Sequence, residues 1–291
     1  MITLENDQYT ATINPDGAEL TSLIRKADHR QDIWTDDDGQ YWQRHAPVLF
    51  PAIGRSNQNQ YSVNGTLYPM PQHGFARDMH FLVTEHLSEA AVTLTLAATD
   101  QTRTQYPFDF SLGMTYRLTP TGIAITATVT NHDDTAMPFA FGLHPGFALS
   151  QPMTDYSVTL TGATTPLKRL VIDPLPFRSG AVTDLEEAKG GRLDLSDERL
   201  SHGIILIDAQ NATAVTLESA TNQESVTLSL TDFPYLGIWS PPGKHAPFVC
   251  LEPFHGLPDL AGAPSDWHKK EGNTILAPNQ TCQLNLAIDL T

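Results

Sequence analysis

The chain contains few cysteines, and they lie far apart. Its 291 residues include only Cys250 and Cys282, too few and too widely spaced to ligate a metal cluster. Both lie in apolar, strand-like runs. We therefore interpret them as inert core thiols, for which a reducing cytoplasm is the simplest setting.

Basic residues are also scarce. Lys and Arg total 17 against 33 Asp and Glu, which gives a net charge of −16. Nucleic acid is a poor partner for such a chain, because phosphate binding depends on clustered cations that release counterions, and a membrane surface is an equally poor one. A small neutral solute fits better. Charge alone leaves a phosphorylated solute open, since one or two well-placed arginines outweigh a distant acidic surface locally.

Long hydrophobic runs are absent from the sequence. No apolar stretch approaches the roughly 18 residues that a membrane helix needs. The first residues, "MITLENDQYT", have neither the basic nor the apolar region of a secretory signal. We therefore expect a cytoplasmic protein with no membrane anchor.

The pattern that dominates the chain is alternation with period two, which is typical of strands with one packed and one solvated face. It recurs at 91–99, 122–131, 156–162, 212–219, 224–231 and 283–290. Turn signals lie between strands, as in "NPDG" at 14–17, "VNG" at 63–65, "TPTG" at 119–122 and "SPPG" at 240–243.

Helical periodicity is rare, and no linker or low-complexity tract divides the strands. The best helix candidate is 183–191, with Thr183 as its N-cap and a glycine stop. We expect residues 163–203 to form an irregular excursion over one face. The sequence thus predicts an all-β protein in which 1–291 form one large antiparallel sandwich domain.

Four short segments interrupt the strand pattern with polar groups embedded among apolar ones. They are "AIGRSNQNQY" with Arg55, "PQHGFARD" with His73 and Arg77, "FGLHPGF" with His144, and "VCLEPFHGLPD" with Glu252. A carboxylate that follows an apolar strand is costly to bury unless it is paired. We expect these histidines and arginines to converge with Glu252 on one pocket that binds hydroxyls and moves protons.

The ordered set "GR", "HGFAR", "FGLHPGF" and "LEPFHGLPD" resembles the aldose 1-epimerase (mutarotase) family over essentially the whole chain, and most of all its lactose-operon-associated branch. The resemblance implies a large antiparallel β-supersandwich, galactose mutarotase-like, that interconverts the α and β anomers of a free hexose. It assigns Glu252 as the general base at the anomeric hydroxyl and His144 as the acid at the ring oxygen. His73, Arg55 and Arg77 would hold the sugar hydroxyls.

The chemistry of mutarotation is consistent with this set. Ring opening removes a proton from the C1 hydroxyl while the ring oxygen gains one, which calls for a base and an acid on opposite sides of the hemiacetal and for no metal or other cofactor. At ordinary pKa values a glutamate is ionised at pH 7, and a neighbouring carboxylate helps to keep a histidine protonated.

The chain departs from the family pattern at two places. Phe254 follows "LEP" where relatives of this branch tend to have tryptophan. Many members carry a sugar-binding aspartate in the region that corresponds to 200–208, where this chain has His202 or Gly203. The sugar preference is therefore open.

Structural interpretations compete at several positions. His73 and His144 could be structural imidazoles, and Glu252 could form an ion pair with an arginine. Arg55 and Arg77 could orient Glu252 without touching sugar. Three further histidines, His80, His202 and His255, are interpreted as structural. Trp239 is either a platform that stacks against the sugar or a core residue.

Other functions also stay open. A hexose-6-phosphate mutarotase and a non-catalytic carbohydrate-binding protein would keep the same pocket. A metal-dependent oxygenase could use two histidines and a carboxylate, although neither His73 nor His144 has a carboxylate two residues on. A glycosidase would pair Glu252 with Asp78 or Asp259.

Overall fold

The computed structural model describes residues 1–36, 38–222 and 224–291. In chain order the first strands are β1 (Ile2–Glu5), β2 (Tyr9–Asn14), β3 (Glu19–Arg25), β4 (Arg30–Gln31), β5 (Val48–Leu49), β6 (Gln60–Val63), β7 (Thr66–Pro69), β8 (Leu82–Ser88), β9 (Ala91–Ala97), β10 (Phe110–Thr119), β11 (Gly122–Asn131), β12 (Met137–Phe139) and β13 (Phe141–Leu143). The remaining strands are β14 (Gly146–Ala148), β15 (Tyr156–Thr161), β16 (Lys168–Ile172), β17 (Arg178–Asp184), β18 (Arg192–Asp194), β19 (Ile205–Asp208), β20 (Ala214–Ser219), β21 (Ser225–Ser229), β22 (Tyr235–Trp239), β23 (Phe248–His255), β24 (Thr274–Leu276) and β25 (Thr281–Leu290).

Helices are short. The α-helices are α1 (Asp100–Arg103) and α2 (Asp197–Leu200), and single 3₁₀ turns occur at Asn57–Asn59, Ala76–Asp78 and Met153–Asp155. In the part of the chain that the structure describes, no helix is long and apolar enough to cross a membrane.

Two large antiparallel sheets form the body of the protein. Within the described residues the larger has nine strands in the order β18-β15-β20-β21-β25-β11-β10-β9-β8, and the other has eight, in the order β17-β16-β19-β22-β23-β13-β5 with β14 paired to β23. A smaller sheet, β1-β2-β3-β4, precedes them. This arrangement confirms the predicted all-β, antiparallel sandwich class.

The main core lies between the two large sheets, because alternate residues of the central strands, such as β10 and β11, point into it. β23 shows the pattern clearly. Val249 and Leu251 belong to the main core, whereas Phe248 and Cys250 join an aromatic cluster and Phe254 joins a separate apolar cluster. The second face of the eight-stranded sheet is therefore also covered, and Glu252 lies on that face between the two clusters.

Strand predictions from alternation agree closely with the structure. The stretch 122–131 coincides with β11, and 156–162 and 283–290 overlap β15 and β25. The "VNG" turn joins β6 to β7 through Asn64 and Gly65, whose φ values are 50° and 80°. Positive φ at both central residues is the geometry that a two-residue hairpin turn requires.

The helix predicted over 183–191 is wrong. Thr183 lies in β17 and pairs with Arg169 of β16, so sheet pairing decides its conformation. A helical pattern of nine residues is too short to be stable without tertiary support. Residues 163–203 are also less irregular than expected, since they contain β16, β17, β18 and α2.

Candidate active site

His144 and Glu252 meet because of strand register. Phe141 pairs with His255, and Gly146 pairs with Cys250. Both pairs fit one continuous antiparallel register, in which position 144 lies directly across from position 252. His144 itself falls in the short break between β13 and β14, at Pro145, so its side chain stands beside Glu252 on the outer face of the eight-stranded sheet.

The two side chains are in contact. His144 Nε2 lies 3.2 Å from Glu252 Oε2, and Glu252 is 1% exposed. This differs from the expected arrangement of a base and an acid on opposite sides of an open space. The two groups lie side by side, which still suits mutarotation because the anomeric hydroxyl and the ring oxygen are bonded to the same carbon.

Burial controls the protonation of this pair. It raises the pKa of Glu252 well above its usual value and lowers the pKa of His144 to about 3. Desolvation thus favours the uncharged form of each group. Burial therefore works against the expected combination of an ionised Glu252 and a protonated His144.

His73 is placed by a tight turn. Its φ is 66° and that of Gly74 is 74°. A Cβ on Gly74 would lie 2.1 Å from the carbonyl oxygen of Phe50, so the turn requires glycine. The Gly54 N–H donates to His73 Nδ1 at 3.2 Å, and burial lowers the pKa of His73 well below its usual value. The neutral ring therefore carries its proton on Nε2, ready to donate to a hydroxyl.

The two arginines are bound to Gln72. Arg77 Nη2 donates to the Gln72 carbonyl at 2.7 Å, and Arg55 Nη2 donates to its side-chain oxygen at 3.4 Å. Among the described residues, neither arginine forms an ion pair with Glu252, so the structure gives no support to their proposed role in orienting it. Arg55 is exposed at the rim, and Arg77 is about one-fifth exposed.

A cavity of about 420 Å³ brings all five predicted site residues together. Arg55, His73, Arg77, His144 and Glu252 all line it. Sequence reasoning did not assign a site role to several other lining residues: Trp42, Gln72, Ile172, Leu175, Pro176 and Ile204. Gln72 lies inside the histidine motif, but the others come from segments that carry no chemical pattern.

The structure also locates the two positions at which the sequence departs from the family pattern, Phe254 and the region 200–208. Phe254 is buried and lines the cavity, so an aromatic wall is retained without an indole donor. Gly203 and Ile204 line the cavity, whereas His202 faces a separate cavity. Trp239 lines the site cavity and meets the His144 ring edge-on.

The candidate glycosidase carboxylates are engaged elsewhere. Asp259 forms a buried ion pair with Lys270 at 2.7 Å, and Asp78 is bound by Arg44 at 2.6 Å on the surface. Within the residues described, no group of three or more His, Cys, Asp or Glu is arranged to hold a metal ion. His80 and His255 make local contacts with Asp16 and with Asp232 and Thr274, in keeping with structural roles.

Comparisons with known proteins agree on one family. The sequence model of the aldose 1-epimerase family matches residues 1–288. Protein LacX of Lactococcus lactis subsp. lactis is 29% identical over 275 residues, covering 88% of each chain. The crystal structure of a galactose mutarotase-like protein from Lactobacillus casei is 45% identical with a TM-score of 0.97 and covers 100% of both chains. A galactose mutarotase related enzyme from Lactobacillus acidophilus is 28% identical with a TM-score of 0.91, covering 99% of this chain and 96% of that one.

Proposed function

Because the chain belongs to the aldose 1-epimerase family, we propose that it interconverts the α and β anomers of a free hexose by general acid and base catalysis. The observation that carries the proposal is the buried pair of Glu252 and His144, in contact at 3.2 Å on the wall of a 420 Å³ cavity. This pair puts a potential base and a potential acid beside a space that accommodates a monosaccharide.

The reaction begins with a proton shift inside the pair. Transfer of a proton from Glu252 to His144 across their 3.2 Å contact yields a carboxylate and an imidazolium. Glu252 then takes the proton from the anomeric hydroxyl as His144 gives one to the ring oxygen. The bond between C1 and the ring oxygen breaks, and C1 becomes an aldehyde.

Ring closure restores both groups. After the aldehyde turns, the ring-oxygen hydroxyl attacks its other face and returns a proton to His144, while Glu252 gives its proton to the carbonyl oxygen. No net proton is gained or lost, and the steps use no metal or nucleotide. Positioned groups of this kind each contribute roughly 10²- to 10⁴-fold in rate.

The remaining polar residues hold the sugar. His73 donates from Nε2, and Arg55, Arg77 and Gln72 offer further N–H groups to the cavity. Ile172, Leu175 and Phe254 add apolar lining. Polar and apolar groups in one cavity suit a pyranose, which presents both hydroxyls and C–H groups.

The test is an anomerisation assay by NMR exchange spectroscopy on glucose, galactose and their 6-phosphates. We expect interconversion of at least one free hexose well above the spontaneous rate, with Glu252→Gln as the inactive control. Acceleration confined to the phosphates would redefine the substrate. Binding without acceleration of any aldose would instead identify a non-catalytic sugar-binding protein and end the proposal.

A further inference from the structure

Trp42 covers the face of the His144 imidazole. The two ring centroids are 4.8 Å apart with the planes tilted by 32°. Trp239 and His73 also approach the imidazole, but at 80° and 79°, which is edge-on. Among the aromatic contacts of the described residues, Trp42 alone lies closer to parallel than to perpendicular to this ring.

Trp42 belongs to a stack of rings, which we call the aromatic column: Trp34, Phe248, Trp42 and His144. Trp34 stacks on Phe248 at 4.5 Å and 19°, and Phe248 stacks on Trp42 at 5.7 Å and 13°. Gly146 leaves room for the column, since a Cβ there would lie 3.1 to 3.3 Å from Trp34, Phe248 and Trp42. The imidazole is thus the end member of a packed series, which restricts the rotation of its plane.

The backbone around Trp42 is fixed as well. The carboxylate of Asp36 accepts the N–H groups of Tyr41 and Trp42 at 2.8 and 2.6 Å, and Trp34 Nε1 donates to the Trp42 carbonyl at 3.0 Å. These bonds hold the segment against the column. The indole therefore forms a fixed wall and is not a freely rotating surface side chain.

A π face beside an imidazole favours its protonated form. The negative face of an indole attracts a cation within about 6 Å, and 4.8 Å lies inside that range. The proposed reaction requires an imidazolium at His144, yet desolvation opposes the charge there. We propose that Trp42 is a positioning residue for this reaction, which fixes the plane of the His144 ring against Glu252 and stabilises the imidazolium. The inference rests on the proposed function.

Several charged or titratable groups face His144 from the elements packed around it. Burial is the largest cause of its lowered pKa, and Arg77 and Arg44 lower that pKa further. His73 lies edge-on at 5.8 Å. Glu252, once ionised, favours the imidazolium from the Nε2 side, and Trp42 favours it from the ring face.

The kinetic test compares Trp42→Leu, Trp42→Phe and Tyr41→Leu. For Trp42→Leu we expect kcat to fall roughly 2- to 30-fold, the range of a cation–π contact, with KM nearly unchanged. The basic limb of the kcat profile should move down by roughly 0.4 to 1.5 pH units, because the imidazolium is less stable. Trp42→Phe keeps a π face and should recover most of both losses.

Tyr41→Leu is the matched control, since it removes a ring from the same segment that meets Trp34 edge-on at 75°. We expect its kcat and pH profile to follow those of the unmodified protein. An unchanged kcat and basic limb in Trp42→Leu would overturn the proposal. So would a rise in KM alone, because that result would assign Trp42 to sugar contact.

Crystal structures of the two Trp42 variants test positioning without any turnover. In Trp42→Phe the contact of His144 Nε2 with Glu252 Oε2 should stay near 3.2 Å, whereas in Trp42→Leu the imidazole should rotate away. An unmoved imidazole in Trp42→Leu would refute the positioning role. An unmodified protein that accelerates no anomerisation would instead refute the proposed function, which keeps the two failures distinct.

Discussion

Replacement of Glu252 by Gln should change activity and stability in opposite directions. The amide keeps the size of the side chain and its contact with His144 Nε2, but it cannot accept the proton of the anomeric hydroxyl. A lost general base lowers the rate by roughly 10²- to 10⁴-fold, which corresponds to about 2.7 to 5.4 kcal/mol of transition-state stabilisation.

The effect on stability follows from the raised pKa of Glu252. Because burial raises that pKa well above 4.5, the folded protein holds the proton more tightly than the unfolded chain does. The contribution of Glu252 to the free energy of unfolding is therefore full below a pH of about 4.5 and is lost as the pH rises through the folded value. An amide does not ionise, so Glu252→Gln avoids this loss.

The assay combines anomer exchange by NMR with thermal unfolding from pH 5 to pH 8. We expect the midpoint of Glu252→Gln to lie at or above that of the unmodified protein, with a difference that grows as the pH rises. A variant that loses activity and also unfolds at a lower temperature would show that Glu252 is a structural ion-pair partner. A rate within tenfold of the unmodified protein would refute the assignment of the base.

Three further changes test the surrounding structure. His144→Asn should lower the anomerisation rate roughly 10²- to 10⁴-fold. Because burial lowers the pKa of His144 to about 3, the unmodified protein loses stability as the pH drops below about 6.5. Thermal unfolding at pH 5 and pH 8 should show a smaller loss of stability in the variant, which has no imidazole to protonate. Asp259→Asn leaves the buried ammonium of Lys270 without its carboxylate, so urea unfolding should show a loss of about 3 to 5 kcal/mol, and an unchanged midpoint would contradict this. Gly146→Ala places a methyl 3.3 Å from Trp42; kcat should fall while KM holds, and overpacking should cost about 1 to 3 kcal/mol in the same unfolding assay.

The sequence was most informative where the signal is local. Alternating apolar and polar residues predicted β11 and β25, because one face of each strand packs in the core. This alternation is visible within a single short stretch of sequence. The "VNG" turn was equally clear, since only a few residue types accept positive φ. The helix predicted at 183–191 failed for the complementary reason, because its conformation is set by pairing with β16, which lies outside any local window.

The candidate site divides in the same way. His73 and Arg77 share one motif, and His144 and Glu252 lie in two others, so their chemical types could be identified one segment at a time. His144 lies directly across from Glu252 because of the register of β13 and β14 against β23. This register cannot be predicted from any one segment alone. Trp42 carried no signal at all, because its place depends on a stack built from three separate regions of the chain.

Several buried polar atoms at the site have no hydrogen-bond partner, which lowers the stability of the fold. Glu252 Oε1, His144 Nδ1 and Arg77 Nε are buried and have no hydrogen-bond partner within the described residues. A buried polar group left unpaired destabilises a protein by about 1 to 3 kcal/mol. Asp259, which is equally buried, accepts hydrogen bonds from Asn57 and Ser265 at Oδ2, and its Oδ1 lies 2.7 Å from Lys270 Nζ. Unpaired buried atoms also occur away from the cavity, at Asp32 Oδ2 and Trp267 Nε1, so one such atom does not mark a functional site by itself. The cavity differs because three of its lining residues, Arg77, His144 and Glu252, each carry one.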